Sequence, residues 1–162
     1  GWTRYPLTDV ESVADHSFGI AALALTLDLP PHIKRDRLIQ MALAHDMAES
    51  IVGDIVVERT GDLQTQMSVD EKAKKETKAA EQLFQNQPDL LLLFEEYEAQ
   101  ITPDAKFLKE LDKLEMVFQA LDYEKKIGQS DPFTEFWENA KKYIKTPQVK
   151  KIYDELHAMR FT

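Results

Sequence analysis

The 162-residue chain contains no cysteine. Disulfides, thiolate nucleophiles and cysteine-type zinc sites are therefore excluded, and the absence fits a reducing compartment. Glycine is scarce, at five residues, whereas Leu, Ala, Lys, Glu and Gln recur. Those side chains lose little rotamer freedom in a helix, so composition leans towards an all-α fold. No apolar run approaches the about 18–20 residues of a membrane span, and no signal peptide is visible. The expected partners include no membrane, and the expected location is cytoplasmic, with the nucleus also open to the chain. The first residue is Gly1 rather than Met, so further residues upstream are expected. Positive charge is also in deficit: 20 Lys and Arg face 29 Asp and Glu, for a net charge of −9. Phosphate neutralisation cannot then drive binding, and no nucleic acid polymer is expected as a partner. One small phosphate ester stays open, because a single metal ion inverts a local field.

The length suits one domain over residues 1–162. Three pairs place proline at a first helical position behind a capping residue: Thr102-Pro103, Asp131-Pro132 and Thr146-Pro147. The capping oxygen takes up an orphan N–H, and proline lacks the N–H that would otherwise be orphaned. Ser12 with Asp15 resembles a capping box that opens a helix through about Leu29, stopped by Pro30-Pro31. Apolar spacing predicts a second helix from Lys34 to Ser50. Residues Gly53 to Met67 read as a loop. Helices follow from Ser68 to Gln85, from Pro88 to Gln100, and from Pro103 to Ile127, the last ending at Gly128 in a C′ position. Two further helices close the chain.

Only four histidines occur, at 16, 32, 45 and 157. His45 and Asp46 follow the small, apolar run Met41-Ala42-Leu43-Ala44, where two titratable groups carry a desolvation cost unless compensated. A metal ion would compensate them; so would a satisfied core pair. His16 offers a third ligand from the first helix and Asp112 a fourth from the long one, while Glu49 projects beside the pair at i+4 and i+3. Mixed imidazole and carboxylate ligation suits Mn, Co, Fe or Zn, with Mg a weaker candidate.

His16, then His45-Asp46, then Asp112 resembles the H…HD…D signature of the HD superfamily of metal-dependent phosphohydrolases. Gly1-Trp2, the block from Glu11 to His16, the block from Ala42 to Glu49, Gly53-Asp54-Ile55 and the block from Lys106 to Met116 look like the HD-domain 5′-deoxynucleotidases, nearest the eukaryotic HD domain-containing protein two group. The likeness runs from Gly1 to about Tyr123. It implies one HD-type helical domain, with His16, His45, Asp46 and Asp112 as ligands of one divalent metal. It further implies Glu49 as catalytic acid/base and Asp54 as a second catalytic carboxylate. Trp2 matches the tryptophan that shapes the sugar pocket. Many bacterial members have an arginine before that tryptophan; here the position is Gly1, so Arg4, Lys72 and Lys106 become the candidates for phosphate contact. Between Asp46 and Asp112 there is no histidine, which favours one metal over two. The implied substrate is a deoxynucleoside 5′-monophosphate and the implied assembly a homodimer; the aromatics between Phe133 and Tyr153 could line its surface, and core packing explains them equally well. The competing readings are an HD phosphodiesterase or nucleotide pyrophosphohydrolase, and a non-catalytic HD scaffold protein.

Overall fold

A computed structural model of the chain describes residues 1–53, 68–129 and 131–161. Among these residues there are helices and no strands, as the composition predicts. Eight α-helices follow in order: α1 (Val13–Thr26), α2 (Arg35–Ala44), α3 (Glu49–Val52), α4 (Val69–Leu83), α5 (Pro88–Ala99), α6 (Pro103–Ile127), α7 (Thr134–Tyr143) and α8 (Pro147–Ala158). Short 3₁₀ turns cover Trp2–Arg4, Asp131–Phe133 and Met159–Phe161. No helix among the described residues is long and apolar enough to cross a membrane.

Helix α6 is the axis of the fold. Thr102 Oγ1 accepts from Ala105 N at 3.2 Å and Pro103 occupies the first turn; at the far end Gly128 takes φ 69°, which costs no Cβ clash. Helices α1, α2, α5, α7 and α8 all pack on α6. Leu108, Leu111, Leu114 and Val117 are fully buried along it, together with Ile20, Leu38, Met41, Trp137 and Val149 from its neighbours. Each such aliphatic side chain contributes roughly 1.5–3 kcal/mol on leaving water. A smaller cluster of Ala44, Ala48, Ala79, Ala80, Phe84 and Phe94 lies where α4 packs against α3 and α5, and most of its members are alanine.

Four sequence expectations need adjusting. Helix α1 ends at Thr26, three residues before Leu29. The helix expected over 34–50 breaks after Ala44: Met47, Glu49, Ser50 and Ile51 donate three residues back, to Ala44, Asp46, Met47 and Ala48. His45 still donates to Met41 O at 2.9 Å, and the tight turns that follow it join α2 to α3. Asp131-Pro132 opens a 3₁₀ turn rather than α7, and Thr146 Oγ1 donates to Glu110 instead of capping α8. Phe133, Trp137 and Tyr153 are buried in the core, the second of the two roles expected for the aromatics of this segment, while Tyr143 is 41% exposed. The loop expected from Gly53 to Met67 lies, beyond Gly53, outside the described residues.

Candidate metal centre

The capping box at the start of α1 fixes the first contributor. Ser12 Oγ accepts from Asp15 N at 3.1 Å, and Asp15 Oδ2 accepts from Ser12 N at 2.9 Å. His16 follows directly, its N–H making the first helical bond to Ser12 O, and its ring lies between α1 and α6. Nδ1 pairs with the Glu115 carboxylate; Nε2 stands 3.4 Å from Asp112 Oδ1 and 4.0 Å from Asp46 Oδ2.

His45 closes α2. Its Nδ1 lies 2.7 Å from Ala42 O, and a carbonyl only accepts, so Nδ1 carries the proton. The lone pair of a neutral ring is then on Nε2. That atom is buried, 3.2 Å from Asp46 Oδ2, and makes no hydrogen bond. An orphaned buried nitrogen forfeits the full desolvation cost of the group, about 1–3 kcal/mol. A cation is the partner that such an acceptor lacks. Ligand atoms of His16, His45 and Asp46 all lie within 4.8 Å of one another, and this set fits one divalent ion.

Asp112 adds the fourth side chain from α6. Its Oδ2 accepts from Tyr97 OH at 2.7 Å and from Lys109 Nζ at 2.9 Å, with Lys113 Nζ at 3.4 Å. Burial opposes its charge, but Lys113, Lys109 and His16 outweigh burial and hold the carboxyl well below its usual range. Burial likewise opposes charge on His16, yet the hydrogen bonds and charges of Asp112 and Glu115 raise it to about 11. The raised His16 reports the two carboxylates beside it, whereas the lowered Asp112 reports the cations that face it.

The remaining walls of the cleft come from α3, α4 and the chain's start. Glu49 opens α3 and faces Lys72 of α4, with 3.5 Å between Oε1 and Nζ; Lys72 also pairs with Glu76 at 3.3 Å. Trp2 stacks on Phe136 with ring centroids 4.2 Å apart, and its Nε1 donates to Glu11 Oε1 at 2.6 Å. Burial and the neighbouring Glu115 push Glu11 up to about 7, against the pull of the Trp2 N–H.

His16, His45, Asp46, Glu49, Lys72, Asp112 and Trp2 therefore share one cleft. Arg4 and Lys106 do not line it. Arg4 is held on the exposed rim by Glu135, at 2.8 Å. Lys106 is exposed because it sits six positions before Asp112, about 120° round the helix. Asp54 lies outside the described residues. Sequence reasoning passed over Lys109 and Lys113, although both flank Asp112 within one turn; it also passed over Tyr97, Glu115 and Phe136. Glu115 sits at i+3 from Asp112, a spacing that could have exposed it. Nothing in the local sequence ties Phe136 to Trp2.

Comparison with known proteins shows what the chain as a whole is similar to. A family model described as HD domain matches residues 1–156. The chain is similar to 5'-deoxynucleotidase HDDC2 of Xenopus laevis, at 36% identity over 165 residues, covering 99% of this chain and 79% of that protein. Among solved structures it resembles the PH0347 protein from Pyrococcus horikoshii OT3, with TM-score 0.72, 32% identity and coverage of 98% and 87%. It also resembles a predicted metal-dependent phosphohydrolase from Magnetospirillum magnetotacticum, with TM-score 0.64, 25% identity and coverage of 95% and 79%.

Proposed function

Because the chain belongs to the HD domain family, we propose that it is a metal-dependent phosphomonoesterase converting 2′-deoxynucleoside 5′-monophosphates into deoxynucleosides and phosphate. The observation that carries the chemistry is the orphaned His45 Nε2, buried in a cleft with His16, Asp46 and Asp112. The substrate class follows the relatives' activity.

In this reading His16, His45, Asp46 and Asp112 hold one divalent cation, drawn from Mn, Co, Fe, Zn or Mg. When bound, such an ion supplies Lewis-acid stabilisation of phosphoryl charge and acidifies water. The chain's own residues do the rest. Lys72, Lys109 and Lys113 bring ammonium groups to the cleft, where they bind and orient the phosphate. Glu49 takes a proton from the attacking water and returns it to the departing 5′-oxygen, a role that contributes about 10²–10⁴-fold. Lys72, ion-paired with Glu49 at 3.5 Å, holds that carboxylate at the wall of the cleft. The Trp2 indole, backed by Phe136, walls the sugar end and leaves little room for a 2′-hydroxyl. Pairing into a homodimer belongs to the same proposal, and a monomeric mass by sedimentation would remove it.

Phosphate release by the chelator-stripped protein tests the reading, with deoxy- and ribonucleoside monophosphates, cyclic nucleotides and triphosphates, each under Mn²⁺, Co²⁺, Mg²⁺ and Zn²⁺. Turnover confined to deoxynucleoside monophosphates supports it. Preference for cyclic or triphosphate substrates transfers the protein to the phosphodiesterase or pyrophosphohydrolase class; no turnover with any metal makes it a scaffold.

A further inference from the structure

Two helices meet at His16, and each brings a pair of residues spaced i, i+3. Helix α6 contributes Asp112 and Glu115, which lie one above the other on the same face. Asp112 Oδ1 stands 3.4 Å from His16 Nε2, while Glu115 engages Nδ1 on the ring's other side. The imidazole is clamped between two carboxylates one turn apart. Glu115 is 8% exposed, so this carboxylate is buried for the contact rather than resting on the surface.

Helix α1 contributes His16 and Gly19. The helix is otherwise rich in alanine and leucine, and glycine in a helix interior costs about 1 kcal/mol relative to alanine. Space explains it. A Cβ at position 19 would lie 2.8 Å from Glu115 Cγ, 2.9 Å from its Oε1 and 3.1 Å from its Cδ. Real Cβ atoms do not approach so closely, so any side chain here must displace the carboxylate from the path it takes to His16.

We propose that Glu115 is a positioning residue that holds His16 with Nδ1 protonated and Nε2 presented to the metal, and that Gly19 exists to let that carboxylate in. A ligating histidine whose second nitrogen donates to a carboxylate has its tautomer and ring angle fixed, and losing such a partner commonly weakens metal affinity 10–100-fold. The inference rests on the metal centre proposed above. It adds that a residue without polar atoms in its side chain governs metal binding through a neighbour on another helix.

The test measures Mn²⁺ affinity of the chelator-stripped full chain by calorimetry, with the apo-protein melting temperature as a separate check of folding. Glu115→Gln keeps the shape of the side chain and loses its charge; its Mn²⁺ Kd should rise about 10–100-fold. Gly19→Ala should weaken binding by a similar factor. On a Glu115→Ala background, where the obstructed carboxylate is gone, Gly19→Ala should add no more than about twofold, because residues acting through one contact are not additive. If Gly19→Ala fails to fold, the near-isosteric Glu115→Gln still decides the point. Wild-type affinity in Glu115→Gln, or losses from Gly19→Ala and Glu115→Ala that multiply in the double variant, would overturn the proposal. A wild type that binds no Mn²⁺, indistinguishable from His45→Ala, would instead overturn the metal centre and this inference with it.

Discussion

Glu110 and Glu124 on α6 are buried as deeply as Asp112 and Glu115, at 7% and 5% exposure against 5% and 8%, yet they are treated differently. Towards α7 and α8, these two carboxylates are satisfied by the protein. Glu110 Oε2 accepts from Lys145 N and Thr146 N, each at 2.8 Å, and its Oε1 accepts from Thr146 Oγ1 at 2.7 Å. Glu124 takes a bidentate Arg160 and the Trp137 Nε1–H at 3.0 Å. Towards α1 and the end of α2, carboxylates crowd round two imidazoles, one of which keeps an unpaired buried nitrogen. A buried charge that is fully matched secures structure. A cluster left with an open valence is a site awaiting a ligand, and the contrast on one helix separates the two uses of the same residue types.

Substitutions on the two sides should therefore fail in opposite ways. Asp46→Ala should lose bound metal and with it all measurable turnover, while the urea midpoint of the apo-protein hardly moves; metal retained at full stoichiometry by elemental analysis would erase the contrast. Glu49→Gln should keep its metal and lose kcat by about 10²–10⁴-fold, and an unchanged kcat would remove Glu49 from proton transfer. Arg160→Met works the other way. It strands Glu124 without its cation and should cost about 3–5 kcal/mol in urea unfolding, with kcat/KM of the folded protein intact. Glu110→Gln keeps an acceptor but weakens a charge-assisted cap on α8, a loss of about 1 kcal/mol. If either of the last two variants altered metal affinity, the division of α6 into a structural and a functional side would not hold.

Much of this was legible in the sequence, and unevenly so. The ends of α6 were readable because Thr102-Pro103 and Gly128 each act through their own backbone geometry, and Ser12 with Asp15 does so for α1. The break after Ala44 was not, since no glycine or proline marks it and apolar periodicity runs on through Ala48. The proposed ligand set could be named because histidines are few and the spacing follows a known pattern. Part of its supporting shell could not, because Tyr97 and Phe136 reach the cleft through packing between helices far apart in sequence. The cations show the same limit on a small scale: Lys106 and Lys109 differ by three positions, yet only Lys109 turns towards Asp112.

The most direct measurement is a crystal structure of the protein loaded with Mn²⁺ or Co²⁺, with the ion located by anomalous scattering. The account predicts one peak per chain, within about 2.0–2.3 Å of His16 Nε2, His45 Nε2, Asp46 and Asp112. A peak on the other side of His16, between Glu11 and Glu115, or no peak in a protein whose turnover depends on that metal, would contradict it.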